Sequence, residues 1–389
     1  MKTDLFLLKY GELALKGLNK PAFEKKLLNT IKRRLAKLGN FSVRCSQSTI
    51  YVEPLCEIDT EEVLSVLSKI FGIANICPVV KCEKDLDEIE KTAVELIREY
   101  RTTQKTFKVE SKREDKSFPL NSPQLSREMG GRILKNINDL KVDVHTPEIM
   151  VNIEIRDKAY VYTRKIQGAG GMPLGSNGKA AILLSGGIDS PVAGWMICKR
   201  GVCLEAVHFH SHPYTSDRAR DKVLDLARIM AKYCGRINVH VVPFTEIQLA
   251  IIEKCPENYL TVIMRRLMMR IAEKIAVANN AQALITGESI GQVASQTMES
   301  LVCTDSAVNI PVFRPCIGMD KEEIVTISKK IGAFETSIQP FEDCCTIFVP
   351  KHPKTKPTLA EIEEAELLLG DIEAMLDDAI ARDEVVVCE

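Results

Sequence analysis

At 389 residues the chain exceeds what one hydrophobic core ordinarily organises, so two or three domains are expected. Hydrophobic residues at 45% and charged residues at 27% suit a globular protein, and no run of 18 apolar residues or secretion-type leader at Met1–Tyr10 appears, which excludes a membrane helix and points to the cytoplasm. The net charge of −1 hides an asymmetry: Lys2–Arg44 carries eleven Lys or Arg against three acids, while Pro357–Glu389 carries eleven acids against one Arg.

Thr3–Lys9 reads as a strand. Asn19-Lys20-Pro21 opens a helix to about Leu38, with Phe23, Leu27, Leu28, Ile31 and Leu35 at helical spacing and Gly39-Asn40 ending it. Phe41–Cys45 and Thr49–Val52 follow as paired strands, then a helix over Thr60–Ile70. Strand–helix–strand–strand–helix is the order of a small ferredoxin-like α+β module. A second unit begins near Val79, with a helix at Asp85–Tyr100, a strand at Thr106–Glu110, a helix at Ser122–Asn136 and a hairpin from Val151–Arg156 and Ala159–Lys165. Arg127, Arg132 and Lys135 give the second of these helices a candidate basic face. A glycine-rich stretch over 167–178 marks the clearest boundary.

From Lys179 the pattern becomes α/β alternation, with strands at Ala180–Leu184, Cys203–Phe209, Ile237–Val242 and Ala283–Thr286. That is the signature of a doubly wound parallel sheet. Leu359–Arg382 reads as one acidic amphipathic helix. The expected domains are therefore 1–59, 60–165, a linker at 166–178, and 179–389.

The first of these strands runs directly into Ser185-Gly186-Gly187-Ile188-Asp189-Ser190, with a helix continuing through Pro191–Lys199. Strand, tight glycine loop and helix N-terminus make an anion site. Gly186 and Gly187 allow close backbone approach to phosphate, and Ser185 and Ser190 add hydroxyls. Asp189 repels bare phosphate, so its role there implies Mg²⁺ between carboxylate and phosphates. No Gly-Lys-Ser/Thr follows, so this is not a Walker loop. The S-G-G-x-D-S string resembles the PP-loop of ATP pyrophosphatases, which cleave ATP between α and β phosphates and adenylate an acceptor.

His208, His210 and His212 alternate at the end of the next strand, where the spacing allows either metal ligation or contacts from His208 and Phe209 to adenine. Arg265 and Arg266 lie on an otherwise apolar helix, as a buried ion pair or as a charge reaching phosphate. Thirteen cysteines, with no C-x-x-C pair, speak against a zinc ribbon, an iron–sulfur site or a disulfide framework. Only Cys344-Cys345, in a loop flanked by polar residues, stands where a reactive thiol is expected.

Lys9-Tyr-Gly-Glu-Leu-Ala-Leu-Lys-Gly17, the Ser185–Ser190 loop, Thr286-Gly-Glu-Ser-Ile-Gly-Gln-Val-Ala-Ser-Gln296 and Arg314-Pro-Cys-Ile-Gly-Met-Asp-Lys321 together resemble the tRNA 4-thiouridine synthetase (thiamine-biosynthesis) family over nearly the whole chain. The resemblance implies a ferredoxin-like domain and a THUMP domain that grip tRNA, then a PP-loop domain that binds ATP and Mg²⁺. It implies adenylation of a uridine O4, expected at position eight, and its replacement by sulfur. Carried over by position, ATP contacts fall on Leu183, Leu184, His208, Phe209, Arg265, Gly287 and Gln296, and Asp189 and Lys321 form the catalytic pair. Of the two cysteines the alignment favours Cys345 as the thiol beside Cys344. Some members add a rhodanese domain for which this chain has no room, so a separate persulfide donor such as a cysteine desulfurase is expected. A homodimer and a role in thiamine synthesis are further family expectations. Two other readings compete: another PP-loop ligase, and an RNA-binding protein that only senses nucleotide.

Overall fold

Leu5, Phe6, Leu7 and Leu8 are all fully buried. Strand β1 (Leu5–Lys9) lies mid-sheet between neighbours on both sides, so each of its faces packs against other residues rather than water. The protein was described from a computed structural model covering residues 3–46, 48–341, 344–348 and 350–389; the side chains of Cys345 and Thr346 lie outside that description. The chain divides into two compact units, Met1–Gly171 and Met172–Glu389. Among the described residues no helix is long and apolar enough to cross a membrane.

In the first unit β1 is followed by α1 (Lys20–Leu35), β2 (Phe41–Ser46), β3 (Thr49–Pro54), α2 (Thr60–Leu67) and β4 (Asn75–Cys82). Pro21 occupies the first turn of α1, and Leu27, Ile31 and Leu35 bury one stripe of it. Asp59 caps α2 by accepting from the Glu61 and Glu62 amides. Then come α3 (Leu86–Tyr100), β5 (Thr106–Arg113), α4 (Ser122–Asn136), β6 (Lys141–Val142), β7 (Ile149–Ile155), β8 (Ala159–Tyr162) and β9 (Ile166–Gln167). One sheet carries them in the order β2-β3-β1-β4-β8-β7-β5-β6, with β9 beside β4. Cores form on it around Phe6, Leu27, Ile31, Leu67 and Ile76, around Ile89, Phe107, Leu125, Ile133 and Val151, and around Leu5, Leu7, Tyr51, Val79 and Tyr160.

β4 joins the two halves, and it is absent from the sequence reading. Pro78 inside Asn75–Cys82 argues against a strand. The proline is accommodated because β4 changes its second neighbour there: Asn75–Ile76 pair with β9 and Val80–Cys82 with β8, while β1 runs along the other side. Of the basic face expected on α4, Arg127 and Lys135 are exposed, but Arg132 needs correction. Arg132 is held by Asp87 at 2.6 Å, Glu90 at 2.8 Å and Glu128 at 2.7 Å, so its charge is spent inside the unit.

The second unit has β10 (Lys179–Leu183), α5 (Asp189–Cys198), β11 (Cys203–His210), α6 (Asp217–Cys234), β12 (Ile237–Pro243), α7 (Thr245–Lys254), α8 (Leu260–Ala278), β13 (Leu284–Ile285), α9 (Met298–Asp305), β14 (Val312–Phe313) and α10 (Lys321–Ile331). After these come α11 (Phe334–Ser337), α12 (Cys344–Ile347), α13 (Leu359–Glu366), α14 (Ile372–Ala381) and β15 (Glu384–Cys388). The sheet order is β14-β13-β10-β11-β12-β15, parallel except for β15. Helix α8 packs across β10, β11 and β13, burying Ile263, Leu267, Ile271 and Ile275. The single acidic helix expected over 359–382 is two helices. Gly370 turns with φ +83°, and Asp371 caps α14 by accepting from the Ala374 amide at 3.0 Å. The edge strand β15 has no counterpart in the sequence reading; its short Val-rich run follows an acidic segment and carries no turn signal of its own.

Candidate functional site

β10 ends at Leu183 and α5 starts at Asp189, so residues 184–188 form a tight loop aimed along the helix axis. The loop is stitched to the helix: Ser190 Oγ accepts from the Ser185 amide at 3.0 Å and donates to its carbonyl at 3.2 Å. Ser185 Oγ in turn accepts from the Gly187 amide at 3.3 Å. The first turn of α5 leaves its amides pointing out of the loop, where an anion is favoured by both hydrogen bonds and helix dipole.

A cavity of about 160 Å³ opens at the carboxyl end of the sheet, the position where doubly wound sheets bind ligands. It brings together Leu183, Leu184, Ser185, Asp189, Ser190, His208, Phe209, Arg265, Gly287, Gln296 and Cys344, drawn from five separate stretches of sequence. Gly186 and Gly187 lie in the loop but not on the cavity wall. Met268 and Met269 of α8 supply an apolar wall. Gly287 is a close-approach glycine: a Cβ there would stand 2.6 Å from the Ser190 amide nitrogen.

His208 is buried, and its Nδ1 is 3.1 Å from the Leu184 carbonyl oxygen. A carbonyl only accepts, so Nδ1 carries the proton. Burial pulls the imidazole down to about 4, so the ring is neutral at physiological pH. His210 stands 6.4 Å from it and His212 a further 6.3 Å from His210, ring to ring, in file rather than converging.

The two arginines of α8 have different fates. Arg266 is buried and bonded to Glu366 at 2.6 Å and Ser306 at 2.7 Å. Arg265 faces the cavity and bonds to Glu288. Glu288 also accepts from Thr286 Oγ1 at 2.7 Å and Arg314 Nε at 2.7 Å. Burial pushes its carboxyl up, but Arg265 and Arg314 outweigh that and hold it below the ordinary glutamate range. Sequence reasoning missed Glu288 and Arg314 as partners, although both lie inside the motifs it singled out.

At the cavity mouth Lys321 Nζ donates to Asp189 Oδ1 at 2.8 Å, and Gln292 Nε2 donates to Asp189 Oδ2 at 2.9 Å. Gln292 was also missed. Nearby Cys316 is buried, and burial followed by the Asp189 charge pushes its thiol up to about 12, which keeps it protonated. Cys344 opens the short helix α12 against the cavity wall. The Cys345 side chain, named as the favoured thiol, lies outside the described residues. In the first unit, Lys25, Lys26, Lys32, Arg33 and Lys37 are exposed along the side of α1 and its C-terminal turn away from Leu27, Ile31 and Leu35. That clustering suits a polyanion.

Sheet, SGGxDS loop and cavity together define a PP-loop nucleotide-binding domain following an α+β N-terminal region. The chain belongs to the thiamine biosynthesis protein (ThiI) family, whose model matches residues 175–369; the ThiI ferredoxin-like domain matches 5–77 and the THUMP domain 83–164. It is 56% identical over 385 residues to a protein of Acetivibrio thermocellus named "Probable tRNA sulfurtransferase", covering 98% of each chain. A protein of Thermoanaerobacter sp. strain X514 with the same name is 58% identical over 363 residues, covering 93% of this chain and 94% of that one. A crystal structure of a 4-thiouridine synthetase–RNA complex with bound ATP superposes with TM-score 0.91 at 37% identity over 100% of both chains.

Proposed function

We propose that the protein is an ATP-dependent sulfurtransferase that converts a uridine of tRNA, at position eight, to 4-thiouridine. The observation that carries this reading is the meeting of the SGGxDS loop, the Asp189–Lys321 pair and Cys344 at one cavity. ATP is the first substrate. Its adenine suits the apolar wall of Phe209, Met268 and Met269, and its phosphates suit the loop amides and Arg265.

Asp189 is a carboxylate at the N-terminus of α5 beside the phosphate cradle, a hard oxygen donor that would hold Mg²⁺ there. Bound there, Mg²⁺ supplies neutralisation of phosphate charge. Lys321, already aimed at Asp189, brings a second positive charge to the same place. The uridine O4 attacks the α-phosphorus, the α–β bridging bond breaks, and pyrophosphate leaves. O4 is then part of an AMP leaving group. The terminal sulfur of a persulfide bonds to C4, the C4–O4 bond breaks, and AMP departs with the oxygen. A second thiol takes the carrier sulfur as a disulfide, which frees the 4-thio group and leaves a disulfide for external thiols to reduce.

A separate cytoplasmic donor of the cysteine desulfurase kind supplies the persulfide, and Cys345 or Cys344 provides the enzyme thiol. The basic side of α1 serves tRNA affinity through phosphate contacts. Sulfur transfer for thiamine synthesis is a second role that the family description favours. The test is release of pyrophosphate from ATP that depends on unmodified tRNA. Release equally fast without tRNA would move the protein to a different PP-loop chemistry.

A further inference from the structure

Residues 338–341 belong to no helix or strand, yet side chains from elsewhere in the fold hold this stretch and the residues around Cys344. Lys222 of α6 is buried, and its ammonium donates to the Gln339 carbonyl at 2.9 Å and the Phe341 carbonyl at 3.3 Å. Gln248 of α7 is buried, and its Nε2 donates to the Cys344 carbonyl at 2.9 Å. Past the cysteines, the Phe348 ring packs edge-on to Tyr214 with centroids 5.0 Å apart.

The Gln248 amide has only one orientation available. The Cys344 carbonyl accepts, so Nε2 must face it, and Oε1 then accepts the hydroxyl of Ser211. Ser211 is fully buried and directly follows His210, the last residue of β11. A short relay therefore connects the strand end that bears His208 and Phe209, through Ser211 and Gln248, to the backbone of Cys344 on the cavity wall. An ammonium in the interior is costly to desolvate, and here it is used on two carbonyls of one irregular segment. Apolar residues would fill the same space without that cost, but they would not fix where the segment lies.

We propose that Lys222 and Gln248 are positioning residues for the sulfur-transfer half of the reaction: they fix the backbone at Gln339, Phe341 and Cys344 so that the thiol carried there meets the adenylated base at the nucleotide cavity. This rests on the reading that a thiol of this segment takes part in sulfur transfer. Neither residue lines the cavity, so ATP binding and adenylation do not depend on them.

The experiment separates the two half-reactions in the full-length enzyme. Lys222→Met, Gln248→Leu and Lys222→Arg are each assayed for tRNA-dependent pyrophosphate release and for 4-thiouridine formation with a desulfurase and cysteine as the persulfide source. Misplacement of a reacting group by about 1 Å costs on the order of a hundredfold, so thiolation falls tenfold or more in the first two variants, pyrophosphate release stays within about twofold, and Lys222→Arg recovers thiolation. Equal loss of both half-reactions, or unchanged thiolation, would overturn the proposal. Retained pyrophosphate release doubles as proof of folding. The double variant Cys344→Ser/Cys345→Ser is run alongside: if it still thiolates tRNA, the thiol reading itself has failed, independently of the anchors.

Discussion

The Lys321 ammonium donates to Asp189 across 132 residues of sequence, at 2.8 Å, where the PP-loop helix begins. Lys321 opens α10 directly after the Asp320 cap, and Asp189 opens α5, so two helix N-termini converge on this ion pair. The Lys321 side chain is 48% exposed, so the pair contributes little to stability. Its worth is in charge placement. Asp189→Asn and Lys321→Met should each slow tRNA-dependent pyrophosphate release by about 10²–10³-fold, the usual cost of removing a preorganised charge. Thermal unfolding should stay close to wild type. A large drop in melting temperature with normal turnover would reassign the pair to structure.

Arg265 and Arg266 are adjacent but should separate cleanly in experiment. Arg266→Met removes one of two guanidiniums from the buried Glu366, leaving Arg270 at 2.9 Å, and should cost about 1–3 kcal/mol of stability, read by denaturant unfolding. Arg265→Met should raise the KM for ATP, because Arg265 lies on the cavity wall, whereas Arg266→Met should leave that KM close to wild type. A reversed pattern would mean that the wrong arginine has been placed at the phosphates.

Glu288 makes a pH prediction. Its carboxyl is held below the ordinary value of 4.5 in the folded state. It therefore contributes stability that is fully present above that value and is lost as pH falls through the lower folded-state value. Glu288→Gln should melt below wild type at pH 7, and the gap should close as pH drops from about 4.5 downward. Parallel melting curves across that range would show that the Arg265–Glu288–Arg314 cluster is not electrostatically coupled to folding.

Gly287→Ala tests the close approach of two loops. The added methyl would meet backbone, at 2.6 Å from the Ser190 nitrogen and 2.7 Å from the Asp189 carbonyl carbon, and backbone cannot swing away. Overpacking of this kind costs about 1–3 kcal/mol and should push the SGGxDS loop off the phosphate position. Calorimetric titration with a non-hydrolysable ATP analogue should show the loss of affinity. Wild-type affinity would mean that the loop tolerates displacement.

Much of this architecture was legible because local signals and global fold agree. Helix α4 runs Ser122–Asn136 as its cap and periodicity imply, and the β10–loop–α5 unit is written in six consecutive residues. What stayed hidden depends on partners distant in sequence. Pro78 makes β4 look unlike a strand until the change of neighbours at that point is seen. Arg132 looks like a surface cation until Asp87 and Glu90 come across from α3. The site shows the same division. The motif residues near Asp189 were visible, whereas Gln292, Glu288 and Arg314 gain their meaning only from the carboxylate or guanidinium facing them.

The most direct test of the account is mass spectrometry of nucleosides from unmodified tRNA incubated with the protein, ATP, Mg²⁺ and a sulfur source. The expected product is 4-thiouridine at position eight, formed with one AMP per thionucleoside, absent without ATP and lost in Asp189→Ala. AMP formation without any thionucleoside, under both sulfide and desulfurase–cysteine supply, would contradict it.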